Sequence, residues 1–171
     1  HNVRYLKPDH SFRTTLEYNN IMFIVAGEVI HRVSGLSWAD FIEQRILKPV
    51  GMTSSFGSYK NAKKDNVTNI IDAHAPVDGK VIQVPHDWNE TANAAGGIIS
   101  NITDMSIWAE FLMNGFTTKD GKKLVSDKQI QQLWNLQIST PVALKNAYDS
   151  NFGGYGLGWF LTDVKGHKQV Y

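Results

Sequence analysis

One stretch constrains the fold more than any other: Leu16 to Ile30, LEYNNIMFIVAGEVI. Apolar residues at Ile21, Ile24, Val25, Val29 and Val33 recur at helical spacing, and Ser34-Gly35 supplies a C-terminal stop. The spacing predicts a helix that begins at Asn19 or Asn20. Either asparagine can serve as the N-cap, accepting backbone N–H groups that a helix start leaves open, with Tyr18 as a hydrophobic staple just outside. The same geometry allows a second reading, in which a phenol and an amide stand side by side at the mouth of a cleft. A tyrosine near cationic groups has its pKa lowered and can shuttle protons, and an asparagine amide can hold a substrate carbonyl. The two readings are compatible.

Further start and stop signals organise the rest. Ser37 with Asp40 resembles a capping box and opens Trp38, Phe41, Ile42, Ile46 and Leu47, a helix that Pro49 and Gly51 end. Asn101 or Thr103 caps a third helix, Asp104 to Met113, closed by Asn114-Gly115. Ser126 and Gln129 make a capping box for a fourth, Asp127 to Asn135. Residues 1–17 are polar and irregular. Residues 53–95 are rich in Ser, Lys, Asn and Asp, with a turn at Val77-Asp78-Gly79-Lys80 between short alternating stretches that suggest a hairpin. The tail GGYGLGWFLTDVKGHKQVY has glycine punctuation, aromatics and alternation, the pattern of a β-hairpin turning near Lys165-Gly166. The expected architecture is mainly α with a small antiparallel β part: a helical region over 1–150, irregular or hairpin-like at 53–95, then strands over 151–171.

Composition narrows the function classes. With 42% hydrophobic residues the 171-residue chain can pack a core. Lys and Arg number 17 against 16 Asp and Glu, so no net field favours nucleic acid. The chain has no cysteine, which excludes disulfides and thiolate metal sites. The longest apolar run is broken by Gly27 and Glu28, short of the roughly 18 residues that span a bilayer, so a soluble chain is expected. The six histidines, His1, His10, His31, His74, His86 and His167, show no zinc-like spacing with an acidic partner, so neither a metal nor another cofactor is expected. Glu28 and His31 read as a solvated helix face, Lys60, Lys63 and Lys64 as a solvated loop, and Asp104 as a helix-dipole partner. Two features are open to binding. Ala95-Gly96-Gly97 either lets backbone approach a substrate or makes a tight turn, and Trp88 either lines a pocket or fills a core or rim.

Three blocks stand in order: YNNIMFIVAGEVIHRVSGLSWADFIEQRILKPVGM, AAGGIISNITDMSIWAEFLMNG and GYGLGWFL. Together they resemble the serine β-lactamase and penicillin-binding protein superfamily, in its class C β-lactamase and D-alanyl-D-alanine carboxypeptidase branch. Its helical subdomain begins a helix with Tyr-x-Asn and reaches a Pro-Leu-Gly-Met-like turn, here Pro49-Val50-Gly51-Met52. The resemblance implies a serine hydrolase of β-lactams or D-Ala-D-Ala peptides, in which the serine of Ser-x-x-Lys forms an acyl-enzyme. It implies that Tyr18 is the proton-relay tyrosine and Asn20 the amide that contacts the lysine and the substrate, with no role for Asn19 beyond a cap. It also implies that the Ala95-Gly96-Gly97 segment lies on the cleft side.

The chain departs from that pattern. No serine has a lysine three positions on: Ser11 meets Thr14, Ser37 meets Asp40, Ser58 meets Asn61, Ser106 meets Ala109 and Ser126 meets Gln129. Lys165-Gly166-His167 does not match the third motif, Lys-Thr-Gly or His-x-Gly. The expectation is therefore a fragment cut at both ends, inactive alone, from a bacterial parent that is periplasmic, extracellular or membrane-attached. The parent's partner would be a small-molecule or peptidoglycan-peptide substrate. The fragment's unpaired tail edges predict a homodimer or a strand swap. The rival readings are a non-catalytic binding module on the same fold, and an esterase or D-amino-acid amidase of the same superfamily.

Overall fold

The computed structural model describes residues 2–86 and 88–171. His1, one of the six histidines above, lies outside the described residues. The chain divides into two compact units, residues 19–111 and residues 1–18 with 112–171.

In the first unit, α1 spans Asn20–Ser34. Asn19 is its N-cap, with Oδ1 accepting from the Ile21 N–H at 2.8 Å. Gly35, left-handed at φ 73°, closes it by donating to the His31 carbonyl. Gly27 is the buried residue of α1, and a Cβ there would come within 2.6 Å of the Ala94 Cβ, so only glycine allows this approach. Ser37 caps α2, Trp38–Ile42, which widens into a π-helical turn over Glu43–Leu47 and ends as α3, Lys48–Val50. Pro49 explains the widening: a proline ring in an α-helix crowds the carbonyl four residues back, and an extra residue in the turn relieves it. Gly51, at φ 95°, donates to the Lys48 carbonyl, while the Met52 N–H donates to the Leu47 carbonyl at 2.9 Å. That is a Schellman stop, and it buries Leu47, Val50 and Met52.

The Lys60, Lys63 and Lys64 patch, expected in a loop, lies on a helix, α4, Tyr59–Lys64. Its cap is buried Ser58, whose Oγ accepts from the Asn61 N–H, and Ala62 on its inner side is fully buried. Strands β1, Ala73–Val77, and β2, Lys80–Val84, pair antiparallel around Asp78-Gly79. Ala95 and Gly96 lie in the short helix α5, Asn93–Gly96, rather than in a tight turn. Helix α6, Ile102–Met113, starts two residues earlier than expected because Asn101 caps it, accepting from the Asp104 N–H. Asp104 does more than face the helix dipole. It is buried and accepts from the Ser54 N–H at 2.8 Å and the Ser55 hydroxyl at 2.6 Å, tying α6 to the loop after α3.

In the second unit a 3-10 turn covers Asn2–Tyr5. Helix α7, Asp127–Leu133, carries the Ser126/Gln129 capping box but stops two residues short of Asn135. The Leu133 carbonyl is taken by the Leu157 N–H instead of a further helical turn. The tail belongs to a four-stranded antiparallel sheet rather than a lone hairpin: β3 Ile138–Ser139, β4 Gly153–Tyr155, β5 Phe160–Val164 and β6 His167–Val170, in that order. The sheet thus begins inside the 1–150 region read as helical. On β5 the alternation buries Leu161 and Asp163 on one face.

Candidate active site

The start of α1 assigns its two asparagines different work. Asn19 holds the cap, so the exposed amide of Asn20, the first helical residue, is not committed to capping. Tyr18 precedes the cap in irregular chain, 57% exposed, with its ring edge-on to Tyr155 at 6.4 Å and 88°. The Tyr155 hydroxyl is held above the ordinary tyrosine range, first by burial and second by the neighbouring Tyr18 phenol.

Trp88 and Gly96 meet. The indole N–H donates to Asn93 Oδ1 at 2.8 Å, and Asn93 donates in turn to Glu90 at 3.0 Å. A Cβ on Gly96 would sit 3.5 Å from the Trp88 ring. Both line a cavity of about 230 Å³, walled also by Tyr59, Ile71, His86 and Ile98, with the His86 ring stacked on Tyr59 at 4.6 Å. Ala95 is not among its lining residues. The walls offer flat apolar surface and glycine backbone, which suits a compact apolar group.

A larger groove of about 650 Å³ in the first unit has Glu28, His31, Asp40, Lys60, Lys64 and Asn93 among its walls, beside apolar Ile24 and Trp38. A hydrogen bond from the Ser37 hydroxyl, followed by one from Asn61, holds the Asp40 carboxyl below the ordinary aspartate range. Glu28 pairs with Arg32 one turn on at 2.7 Å, and that bond lowers its pKa. Among the described residues no three His, Asp or Glu side chains gather into a metal-sized group. One histidine does have an acidic partner, missed in the sequence because the two are seven residues apart: His10 meets Glu17 at 2.9 Å. Sequence reasoning also missed Tyr155, Tyr59 and His86. Only the glycine-punctuated Gly153-Gly154-Tyr155 stretch carried a signal.

The sequence model of the Beta-lactamase family matches residues 1–171. The chain belongs to the Beta-lactamase family. Among relatives of this family member, the Unguisins hydrolase ungD' of Aspergillus campestris is 28% identical over 177 residues, covering 99% of this chain and 30% of that protein. Among solved structures, the octameric penicillin-binding protein homologue from Pyrococcus abyssi superposes with a TM-score of 0.73 at 23% identity, over 92% of this chain and 33% of that one. A D-stereospecific amidohydrolase from Streptomyces gives 0.68 at 22%, over 96% and 45%. These likenesses carry the fold of a β-lactamase and penicillin-binding protein-like chain, and the relatives' names support a hydrolase-type superfamily. The chain spans about a third of the length of the Aspergillus relative. A fungal protein stands among the relatives, so membership does not by itself point to a bacterial parent. Among the described residues no single helix is long and apolar enough to cross a membrane.

Proposed function

We propose that this β-lactamase-family chain supplies the Tyr-x-Asn element of a serine hydrolase that works through an acyl-enzyme. In this reading Tyr18 relays the proton of the nucleophile and leaving group, and Asn20 holds the carbonyl of the scissile bond. The nucleophile comes from polypeptide outside residues 1–171, since no serine here has a lysine three positions on. The substrate is a β-lactam, a D-Ala-D-Ala peptide or a D-amino-acid amide. The observation that supports the reading best is the division of labour at α1. Capping falls to Asn19, so neither Tyr18 nor Asn20 is spent on starting the helix.

The test is intact mass after exposure to a penicillin and, separately, to an active-serine phosphonate. It compares chain 1–171 with the longer polypeptide obtained from the same reading frame. An acyl or phosphonyl adduct on the longer polypeptide alone is the expected outcome. An adduct on chain 1–171 would overturn the placement of the nucleophile. No adduct with either reagent on either polypeptide would favour the non-catalytic binding module.

A further inference from the structure

We infer that Tyr155 is a positioning residue for Tyr18, holding the phenol in the orientation its proton transfer needs. The inference rests on the hydrolase reading above, in which Tyr18 is the relay. Four rings stand in a row: Tyr18 edge-on to Tyr155, Tyr155 to Phe160 at 4.8 Å and 67°, and Phe160 stacked on Tyr171 at 5.6 Å and 20°. The register of the sheet builds this row. Tyr155 on β4 is the Cα partner of Phe160 on β5, and Phe160 exchanges both backbone hydrogen bonds with Tyr171 at 2.8 and 3.0 Å. The three side chains therefore fall opposite one another on one face. Leu161, the next residue on β5, points to the opposite face and is 2% exposed, which pins the strand under the row.

Tyr18 lies in residues 16–19, which have no regular structure. The Tyr18 ring leans edge-on against Tyr155, and edge-to-face packing constrains orientation as well as distance. Orientation is what a proton relay requires, because a small misplacement of a catalytic group costs far more rate than the contact costs in stability. Charge supports the same division of roles. Partial burial and the adjacent phenol both disfavour ionisation of Tyr155, so it supports Tyr18 as a neutral partner.

The experiment uses chain 1–171 with ring-labelled tyrosine, observed by NMR as wild type and as Tyr155→Phe, Tyr155→Leu and Tyr18→Phe. Cross-relaxation between the Tyr18 and Tyr155 rings is expected in the wild type. In Tyr155→Leu the Tyr18 ring shifts are expected to change, whereas Tyr155→Phe retains them. Tyr18→Phe, an exposed site where folding is not at stake, is expected to lower the titration midpoint of Tyr155. Wild-type rings without cross-relaxation, or Tyr18 shifts unchanged in a folded Tyr155→Leu chain, overturn the inference. In a turnover-competent polypeptide carrying this chain, Tyr155→Leu is expected to lower kcat about tenfold at unchanged KM, with Tyr155→Phe restoring it. Wild-type kcat in Tyr155→Leu overturns the positioning role. Wild-type kcat in Tyr18→Phe instead overturns the hydrolase reading beneath it, and leaves the ring contact to be judged by the NMR result.

Discussion

Two hairpins in this chain share one turn and differ in everything that follows from burial. β1–β2 turns through Asp78-Gly79 at φ 49° and 75°, and β5–β6 through Lys165-Gly166 at φ 51° and 81°, so each turn has positive φ at both central residues. That geometry matches the right-handed twist of antiparallel strands. β1–β2 forms a two-stranded sheet with Val77, Val81 and Ile82 exposed and Pro76 on it, a residue that cannot donate to a ladder. β5–β6 is the outer half of four strands and buries Leu161 and Asp163. Turn chemistry makes a hairpin, but only neighbouring strands and a buried face make it part of the core.

The widest separation between the two should come from their apolar residues. Leu161→Ala is expected to cost about 3 kcal/mol in urea unfolding, by cavity formation, and Ile82→Ala no more than about 1 kcal/mol. Equal losses would break the comparison. A smaller effect is expected at the turns, where placing alanine at positive φ costs about 1 kcal/mol. Gly166→Ala should lower global stability by that amount, while Gly79→Ala should speed amide exchange within β1–β2 and leave the global midpoint nearly unchanged. A global loss in Gly79→Ala would show that β1–β2 unfolds together with the core.

The gentlest test changes only pH. Asp163 accepts from the Asn151 N–H at 2.7 Å, from the Asn151 side-chain amide at 2.9 Å and from the Phe152 N–H at 3.1 Å. These bonds, the Asn151 backbone first, hold its carboxyl below the ordinary aspartate range. Its contribution to stability is therefore full above the unfolded aspartate value of about 3.9 and lost as pH falls through the lower folded value. Asp163→Asn should flatten that part of the acid unfolding curve. An unchanged acid slope would remove Asp163 from the account.

The parts of the fold legible in sequence are those whose cause lies within about four residues. Asn19, Ser37 and Ser126 cap the helices they announce, Gly35 and Gly51 stop the helices before them, and Asp78-Gly79 and Lys165-Gly166 turn the two hairpins. A side chain that reaches a backbone N–H two or three residues away needs no partner elsewhere, so local chemistry suffices. The remainder depended on partners that sequence spacing cannot pair. Asp104 looked like a dipole residue until Ser54 and Ser55, about fifty positions earlier, proved to be its donors. The lysine patch looked like a loop until buried Ser58 capped it as a helix.

The candidate site divides along the same line. Tyr18 and Asn20 could be read from their motif and family context, and Trp88 and Gly96 as residues open to a binding role. That Trp88 meets Gly96 while Ala95 stays out of the cavity, and that Tyr155 stands against Tyr18, only the tertiary structure decided. Capping and turn signals act through the chain's own neighbours and are written into it. Cavities and ring contacts are made by strand register and helix packing, which join residues the sequence keeps far apart.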